Sequence, residues 1–208
     1  MARASSSLQN PPSLIEYGKL RFLIMDSPTG AQSLARPLVS RRPNTLRARP
    51  YLRRCSPPRS PLAPGLTWYA GAADDNLHLY LAAVTPHSVG NCVRCCETAS
   101  YSEKAVTDRG IAVHWWSFPD GEAPPKSLIE QWLDLCFSSD QAVAVHCVAG
   151  LGRAPLLVAI ALIEAGLDPM DAVELIRKKR RGAINRVQLK YVQDYTPVRR
   201  KNGGCAVM

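Results

Sequence analysis

The sequence predicts an α/β fold in which a central, mostly parallel sheet is flanked by helices on both faces. Three observations carry this. Short apolar runs at Leu20–Met25, Val89–Cys96, Ile111–Trp116 and Ala142–His146 have strand length, and they alternate with helix-length stretches. A glycine-rich turn, residues 147–152, joins the last of these runs directly to a helix. The helical stretches also carry start and stop signals where a βα alternation needs them.

Taken in order, Leu20-Arg21-Phe22-Leu23-Ile24-Met25 reads as a buried strand, and residues 1–15 read as a flexible N-terminus. Asn76–Val84 reads as a helix, Val89–Cys96 and Ile111–Trp116 as strands, and Lys126–Phe137 as a helix. Ala142-Val143-Ala144-Val145-His146 suits a central strand. Ala154–Ala165 is apolar nearly all round, as a core helix is, and Gly166 closes it. Asp168 is a suitable N-cap with Pro169 at the first helical position, and Gly182 follows the basic run Arg177–Arg181. A last amphipathic helix fits Val187–Tyr195, stopped by Pro197.

At 208 residues the chain suits one domain, read as residues 16–198. Residues 32–73 interrupt it. They hold eight arginines, seven of the seventeen prolines and no acid, so they read as a disordered insertion that cannot bury enough apolar surface to offset ordering entropy. This stretch accounts for most of the formal charge of +9, and the remainder is close to neutral. Nucleic-acid binding is therefore the weaker reading, and it predicts a steep salt dependence that vanishes when residues 32–73 are deleted. No apolar run reaches the roughly eighteen residues of a membrane span. The first ten residues lack the apolar core of a secretion signal. Seven scattered cysteines then read as reduced thiols rather than a disulfide scaffold. The His and Cys spacings show no paired metal-ligand pattern, and neither a metal nor a cofactor is expected.

The chemistry concentrates in His146-Cys147-Val148-Ala149-Gly150-Leu151-Gly152-Arg153. A strand, a tight loop and a helix N-terminus form an anion-binding concavity, because successive backbone N–H groups point inward and the helix dipole favours negative charge. Gly150 and Gly152 permit the dihedrals such a loop needs. The same field favours the thiolate of Cys147, the form that attacks phosphorus. Arg153 can curl back and offer a planar two-pronged donor to phosphoryl oxygens. The alternative, a structural cysteine beside a glycine turn, leaves the joint spacing of cysteine, glycines and arginine unexplained. His146 can act in the site or merely hold the loop as a core histidine.

Cleaving a phosphate ester also needs a proton for the leaving oxygen. Asp120, in Ser117-Phe118-Pro119-Asp120-Gly121-Glu122, follows a strand and lies in a loop that can move. The competing reading is a turn former in Pro-Asp-Gly, with Glu122 as the substitute acid.

With these residues placed, the chain resembles protein tyrosine phosphatases, and most of all the prenylated phosphatases of regenerating liver, type IVA. The segments that carry the resemblance are Ala144–Pro155, Lys179-Arg180-Arg181-Gly182-Ala183-Ile184-Asn185 and Cys205-Ala206-Val207-Met208, with weaker support from Leu20–Thr29 and Val93-Arg94-Cys95-Cys96-Glu97. The resemblance implies Cys147 as nucleophile, Arg153 with Val148, Ala149, Gly150, Leu151 and Gly152 as phosphate binders, and Asp120 as acid. Most tyrosine phosphatases carry Ser or Thr after the arginine. Here Ala154 stands there, as in the type IVA family, which implies slow breakdown of a phosphocysteine intermediate. The resemblance also implies a redox pair between Cys147 and Cys96, with Cys95 adjacent as a second choice. Two features depart from the family pattern: the 32–73 insertion, and Pro119-Asp120 where the family has paired acids.

Cys205-Ala206-Val207-Met208 fits a C-a-a-X box and predicts a farnesyl group on Cys205, delivered by a prenyltransferase. One lipid chain anchors only marginally, so residues 199–208 with the Arg177–Arg181 run are expected to add attraction to an anionic membrane surface. The resemblance then places the protein on the cytoplasmic face of the plasma membrane and endosomes. Its substrate is a phosphotyrosine protein or a phosphoinositide. The competing function is a binding module that clamps the cytosolic domain of a magnesium transporter of the cyclin-M type.

Overall fold

The computed structural model describes residue 8 and residues 10–28, 76–97 and 101–199. The hairpin β1 (Ser13–Tyr17) and β2 (Leu20–Met25) turns at Gly18, whose φ of 56° a side chain would strain. Helix α1 (Leu77–Val84) continues into a 3₁₀ turn, Thr85–His87, that leads into β3 (Val89–Arg94). The short helix α2 (Glu103–Thr107) precedes β4 (Ala112–Trp115), and α3 (Lys126–Ser138) precedes β5 (Ala142–His146). Three helices close the fold: α4 (Arg153–Glu164), α5 (Pro169–Lys179) and α6 (Arg186–Asp194).

The sheet runs β1-β2-β5-β3-β4, parallel except for the β1–β2 pair. Strand β5 is central and all five of its residues are buried. Side chains alternate between two cores, as a strand's period of two requires. Phe22, Ile24, Val93, Val143 and Val145 pack with α3–α6 on one face, whereas Leu23, Met25, Cys92, Ala142 and Ala144 meet α1 and Val106 of α2 on the other. The expected mostly parallel, two-faced α/β sheet is what forms.

All of α4 is buried, which explains its lack of a polar face. Trp132 of α3 is fixed against it by donating Nε1–H to the Leu157 carbonyl at 2.7 Å. At the far end of α4, the buried Glu164 carboxylate accepts from the Tyr195 hydroxyl at 2.7 Å, the Val198 amide at 2.6 Å and the Arg199 amide at 3.1 Å. The last described residues are thus tied to the pole opposite the β5–α4 loop. Asp168 caps α5 as read, accepting from the Met170 amide, and on α6 Asn185 and Gln188 complete a capping box that the sequence reading did not include.

The folded unit begins earlier than the sequence suggests. Residues 13–15, which read as part of a flexible N-terminus, belong to β1, with Ile15 at 1% exposure. That strand owes its form to pairing with β2 rather than to its own pattern. Helix α2 has no clear signal in the sequence either, because five residues carry too little periodicity. The 32–73 segment and Cys205 lie outside the described residues. Among the described residues, no helix is long and apolar enough to cross a membrane, and no cluster of three His, Cys, Asp or Glu offers a metal site.

Candidate active site

Strand β5 delivers Cys147 to the carboxyl edge of the sheet, where α/β folds place their ligand crevices. The loop from Cys147 to Gly152 then enters α4. Gly150 has φ 63°, and a Cβ there would collide with the Met25 carbonyl and the Arg180 guanidinium. Only glycine fits. Cys147 is 3% exposed at the base of a pocket of about 270 Å³ lined by Asp120, Val148, Ala149, Leu151, Gly152, Arg153, Gly182 and Asn185. Sequence reasoning nominated most of that lining.

Arg153 does curl back. Its Nη1 donates to the Cys95 and Phe118 carbonyls, each at 3.1 Å, which pins one edge of the guanidinium to the ends of β3 and the acid loop. Nε is buried, lacks a hydrogen bond and faces Asp120 Oδ1 at 3.3 Å. The Asp120 side chain is largely exposed and stands over the same pocket. A thiol, a loop of amides, a half-tied guanidinium and a carboxylate therefore converge, an arrangement suited to holding a tetrahedral oxyanion. Glu122, the substitute acid, makes no such approach to Arg153 and does not line the pocket.

Five contributors escaped the sequence. Arg180, read as part of a surface basic run, is buried. Its Nε donates to the Gly150 carbonyl at 2.7 Å and its Nη2 to the Ala149 carbonyl at 3.2 Å. Arg177 is likewise occupied, donating to the Ala183 carbonyl at 3.0 Å and the Ile184 carbonyl at 2.8 Å. Both leave the proposed membrane-facing run, which keeps Lys178, Lys179 and Arg181 exposed. A basic residue within a run looks the same in sequence whether it faces water or carbonyls.

Tyr101 shares a 2.6 Å hydrogen bond with His146 Nε2. Burial, with the Arg94 charge, pushes the His146 pKa down to about 4 and keeps the imidazole neutral. His146 is 0% exposed and does not line the pocket, so of its two readings the loop-holding one fits. Arg94 itself is fully buried, and none of its three side-chain nitrogens has a hydrogen-bond partner. It is sandwiched between the rings of Tyr101, at 4.4 Å, and Trp115, at 3.7 Å, whose π-faces offset part of the lost hydration. Gln188 of α6 is the fifth. The signal that could have found it was its place three residues after the N-cap Asn185.

Cys95 and Cys96 are both buried, and burial raises the pKa of each, Cys95 strongly. Neither is joined in a disulfide.

A family model described as "Polymorphic toxin system, DSP-PTPase phosphatase" matches residues 71–167. A Dictyostelium discoideum chain named "Probable protein tyrosine phosphatase type IVA A" is 34% identical over the whole of both chains. The chain belongs to the protein tyrosine phosphatase type IVA family. It is, by that membership, a protein tyrosine phosphatase. The human protein tyrosine phosphatase type IVA 3 is 45% identical over 129 residues, covering 60% of this chain and 74% of the relative. Among solved structures, a Leishmania major chain described as a protein tyrosine phosphatase superposes with a TM-score of 0.60 at 29% identity, covering 89% of this chain and 98% of its own. Kinase associated phosphatase, at 16% identity and a TM-score of 0.52, shares the fold.

Proposed function

We propose that the chain hydrolyses phosphate monoesters through a phosphocysteine intermediate, with slow turnover. The single observation that carries this reading is the convergence of Cys147, Arg153 and Asp120 on one pocket. The Cys147 thiolate attacks phosphorus as the loop amides of residues 148–152 and the guanidinium of Arg153 hold the equatorial oxygens. Asp120 gives its proton to the leaving oxygen and then, as a carboxylate, accepts one from the water that cleaves the P–S bond. With Ala154 following Arg153, no hydroxyl assists the departing thiolate, so the second step limits turnover. The experiment is hydrolysis of a small aryl phosphate by the reduced protein beside Cys147→Ser. Cysteine-dependent turnover supports the reading, and equal rates from well-folded parent and variant sink it.

A specific feature favours a macromolecular substrate or partner. Val148 and Leu151 of the pocket lining, and Val187 two residues past the pocket's Asn185, are exposed apolar side chains, with Val187 at 70% exposure. Such a rim suits a protein surface better than a headgroup in water. The same rim fits the second reading, a binding module that clamps the cytosolic domain of a magnesium transporter of the cyclin-M type with the pocket inside the interface. Titrating reduced and peroxide-oxidised protein against that domain separates the two, since only a clamp built on the pocket loses affinity when Cys147 is oxidised. Farnesylation of Cys205, with attraction of the remaining basic residues to anionic lipid on cytoplasmic membrane faces, is proposed on the C-a-a-X sequence. It is tested by mass spectrometry of the protein expressed in eukaryotic cells.

A further inference from the structure

The two ends of α4 stand at opposite poles of the domain. Before its start, Gly150 of the loop lies against the Met25 carbonyl, where β2 ends. Just past its finish, Ala165 shares a groove with Gly18, Lys19 and Leu20, where β2 begins. The eleven helical steps from Arg153 to Glu164 cover about 17 Å at 1.5 Å each. The five strand steps from Leu20 to Met25 give the same span, about 17 Å at 3.3 Å each.

The chain leaves from the pole opposite Cys147, and its exit is fixed. Glu164 accepts from the Val198 and Arg199 amides. The Arg199 guanidinium pairs with Asp134 and lies over the Phe137 ring, 5.5 Å from its centroid. Phe137 lines the same groove as Ala165. From Arg199 to Cys205 are six residue steps, a reach of about 20 Å at full extension. Returning along the flank to the level of Arg153 takes about 17 Å of it. Almost nothing is left to pass around the domain and beyond the exposed Val148 and Leu151 of the pocket. A lipid on Cys205 therefore holds the exit pole at the bilayer and keeps the pocket off it. The exposed basic residues divide accordingly. Arg199 travels with the anchor, whereas Lys179 and Arg181 line a second pocket with Ala149 and Leu151 of the loop, at the other pole.

We infer that the anchored protein acts on phosphorylated protein segments standing off the bilayer, and not on headgroups of the leaflet that carries it. The inference rests on the phosphatase reading and on the lipid at Cys205 proposed above. A short tether fixed at one pole makes the effective concentration of the opposite pole at the membrane surface close to zero. Lys179 and Arg181, beside the loop, then face the incoming substrate and not the anchoring lipid. The tail acts as a ruler: it brings the enzyme to a membrane and at the same time denies it that membrane's own phosphates.

The test uses the full-length reduced chain, farnesylated on Cys205 by purified farnesyltransferase and bound to dilute phosphatidylcholine vesicles. Phosphotyrosine is displayed on lipids of the same vesicles through a short or a long polyethylene glycol spacer, and phosphate release is followed. The parent should hydrolyse the long-spacer substrate at least about tenfold faster than the short-spacer one, because only the long spacer lets the two ends meet. A second protein carries a Gly/Ser linker of about twenty residues between Asn202 and Gly203, which adds roughly 25 Å of mean reach. It should bring the short-spacer rate to within about threefold of the long-spacer rate. A soluble phosphotyrosine peptide, cleaved equally by both proteins, shows that the insertion leaves the pocket intact. Equal rates of the parent on both spacers overturn the inference, as does a short-spacer substrate that stays slow after the insertion. Vesicles containing phosphatidylserine separate length from charge. If they restore short-spacer hydrolysis by the parent, the basic residues beside the pocket draw it to the bilayer and the inference falls. Failure of the underlying readings looks different. Without cleavage of the soluble peptide beyond Cys147→Ser the phosphatase reading fails, and without a farnesyl mass on Cys205 the anchor does. Either takes the inference with it, and both are seen in solution before any vesicle is added.

Discussion

The backbone amide of Cys95 donates to the carbonyl of His146 at 2.8 Å, one step past the last register pair of the parallel β3–β5 ladder, Arg94 with His146. Carried forward by that step, the register sets Cys95 beside Cys147. Both side chains fall on the same face, and both belong to the same core cluster. Parallel neighbours lie about 4.8 Å apart, inside the roughly 4.4–6.8 Å window of Cα separations that a disulfide bridges. Cys96 lies past the end of β3, in the bend that follows, where no register pair sets its direction, and Arg94, Arg153 and Cys147 all act on its thiol.

Oxidation should therefore read this geometry. One equivalent of hydrogen peroxide converts Cys147 to the sulfenic acid with loss of hydroxide, and a neighbouring thiol displaces water to form the disulfide. Resemblance points to Cys96 as that thiol, and the register points to Cys95. The expected product is Cys147–Cys95, mapped by peptide mass spectrometry after alkylation, with activity recovered by dithiothreitol. Cys95→Ser should then overoxidise irreversibly, whereas Cys96→Ser recovers. A map dominated by Cys147–Cys96 would show instead that the end of β3 rearranges on oxidation.

Asp120→Asn should lose activity in proportion to how badly the leaving group needs a proton. General acid catalysis is worth about 10²–10⁴-fold, so an alkyl phosphate should show most of that loss and p-nitrophenyl phosphate, with its acidic phenol, far less. The comparison of kcat across leaving groups checks it, and an equal loss on all substrates would mean that Asp120 only holds Arg153. Arg153→Lys, which keeps the charge but gives up the fork tied to Cys95 and Phe118, should cost about 10²–10³-fold on every substrate.

How far these residues were legible depends on what the sequence encodes locally. Strands β2 and β5 and the start of α1 were readable to within a residue because each is a short apolar run with polar punctuation. Cys147, Gly150, Gly152 and Arg153 were readable because a loop that binds an anion through its backbone forces their spacing. Strand β1 was not, since Ser13–Tyr17 becomes a strand only beside β2. Arg180, Arg94 and Tyr101 were not, because their roles are set by partners far away in the chain: Gly150, Trp115 and His146. Whether an arginine is surface or core is decided by the third dimension.

His146 gives the fold a pH dependence. Its pKa is lowered from the ordinary 6.5 to about 4 in the folded protein, first by burial and then by Arg94. The unfolded chain therefore binds a proton before the folded one does. The stability this neutral histidine contributes is fully present above about pH 6.5 and is lost as pH falls from there towards about 4, by up to roughly 3 kcal/mol. Urea unfolding midpoints between pH 7.5 and 4.5 should fall along that window, and His146→Asn should flatten this part of the profile. An unchanged slope in the variant would assign the acid sensitivity to other groups.

Arg180 should behave as part of the loop although it is 30 residues away from it. Its Nε and Nη2 meet the Gly150 and Ala149 carbonyls, its Nη1 reaches the Ile24 carbonyl at 3.4 Å, and Asp26 lies 3.9 Å from Nη2. Those carbonyls belong to residues whose amides must point the other way, into the pocket, so meeting them from behind holds the amides in place. Arg180→Met leaves the carbonyls buried and unmet, which should cost about 2–4 kcal/mol and lower kcat and affinity for phosphate together. Arg180→Lys keeps a charge near Asp26 but can reach only part of the set, and should fall between. Arg181→Met, a neighbour on the exposed side, should stay within about 0.5 kcal/mol of the parent. Thermal unfolding beside inhibition by inorganic phosphate measures both effects. Were the Arg180 and Arg181 variants equal in stability and in phosphate affinity, the guanidinium behind the loop would be a bystander, and the amides would owe their orientation to Gly150 and Gly152 alone.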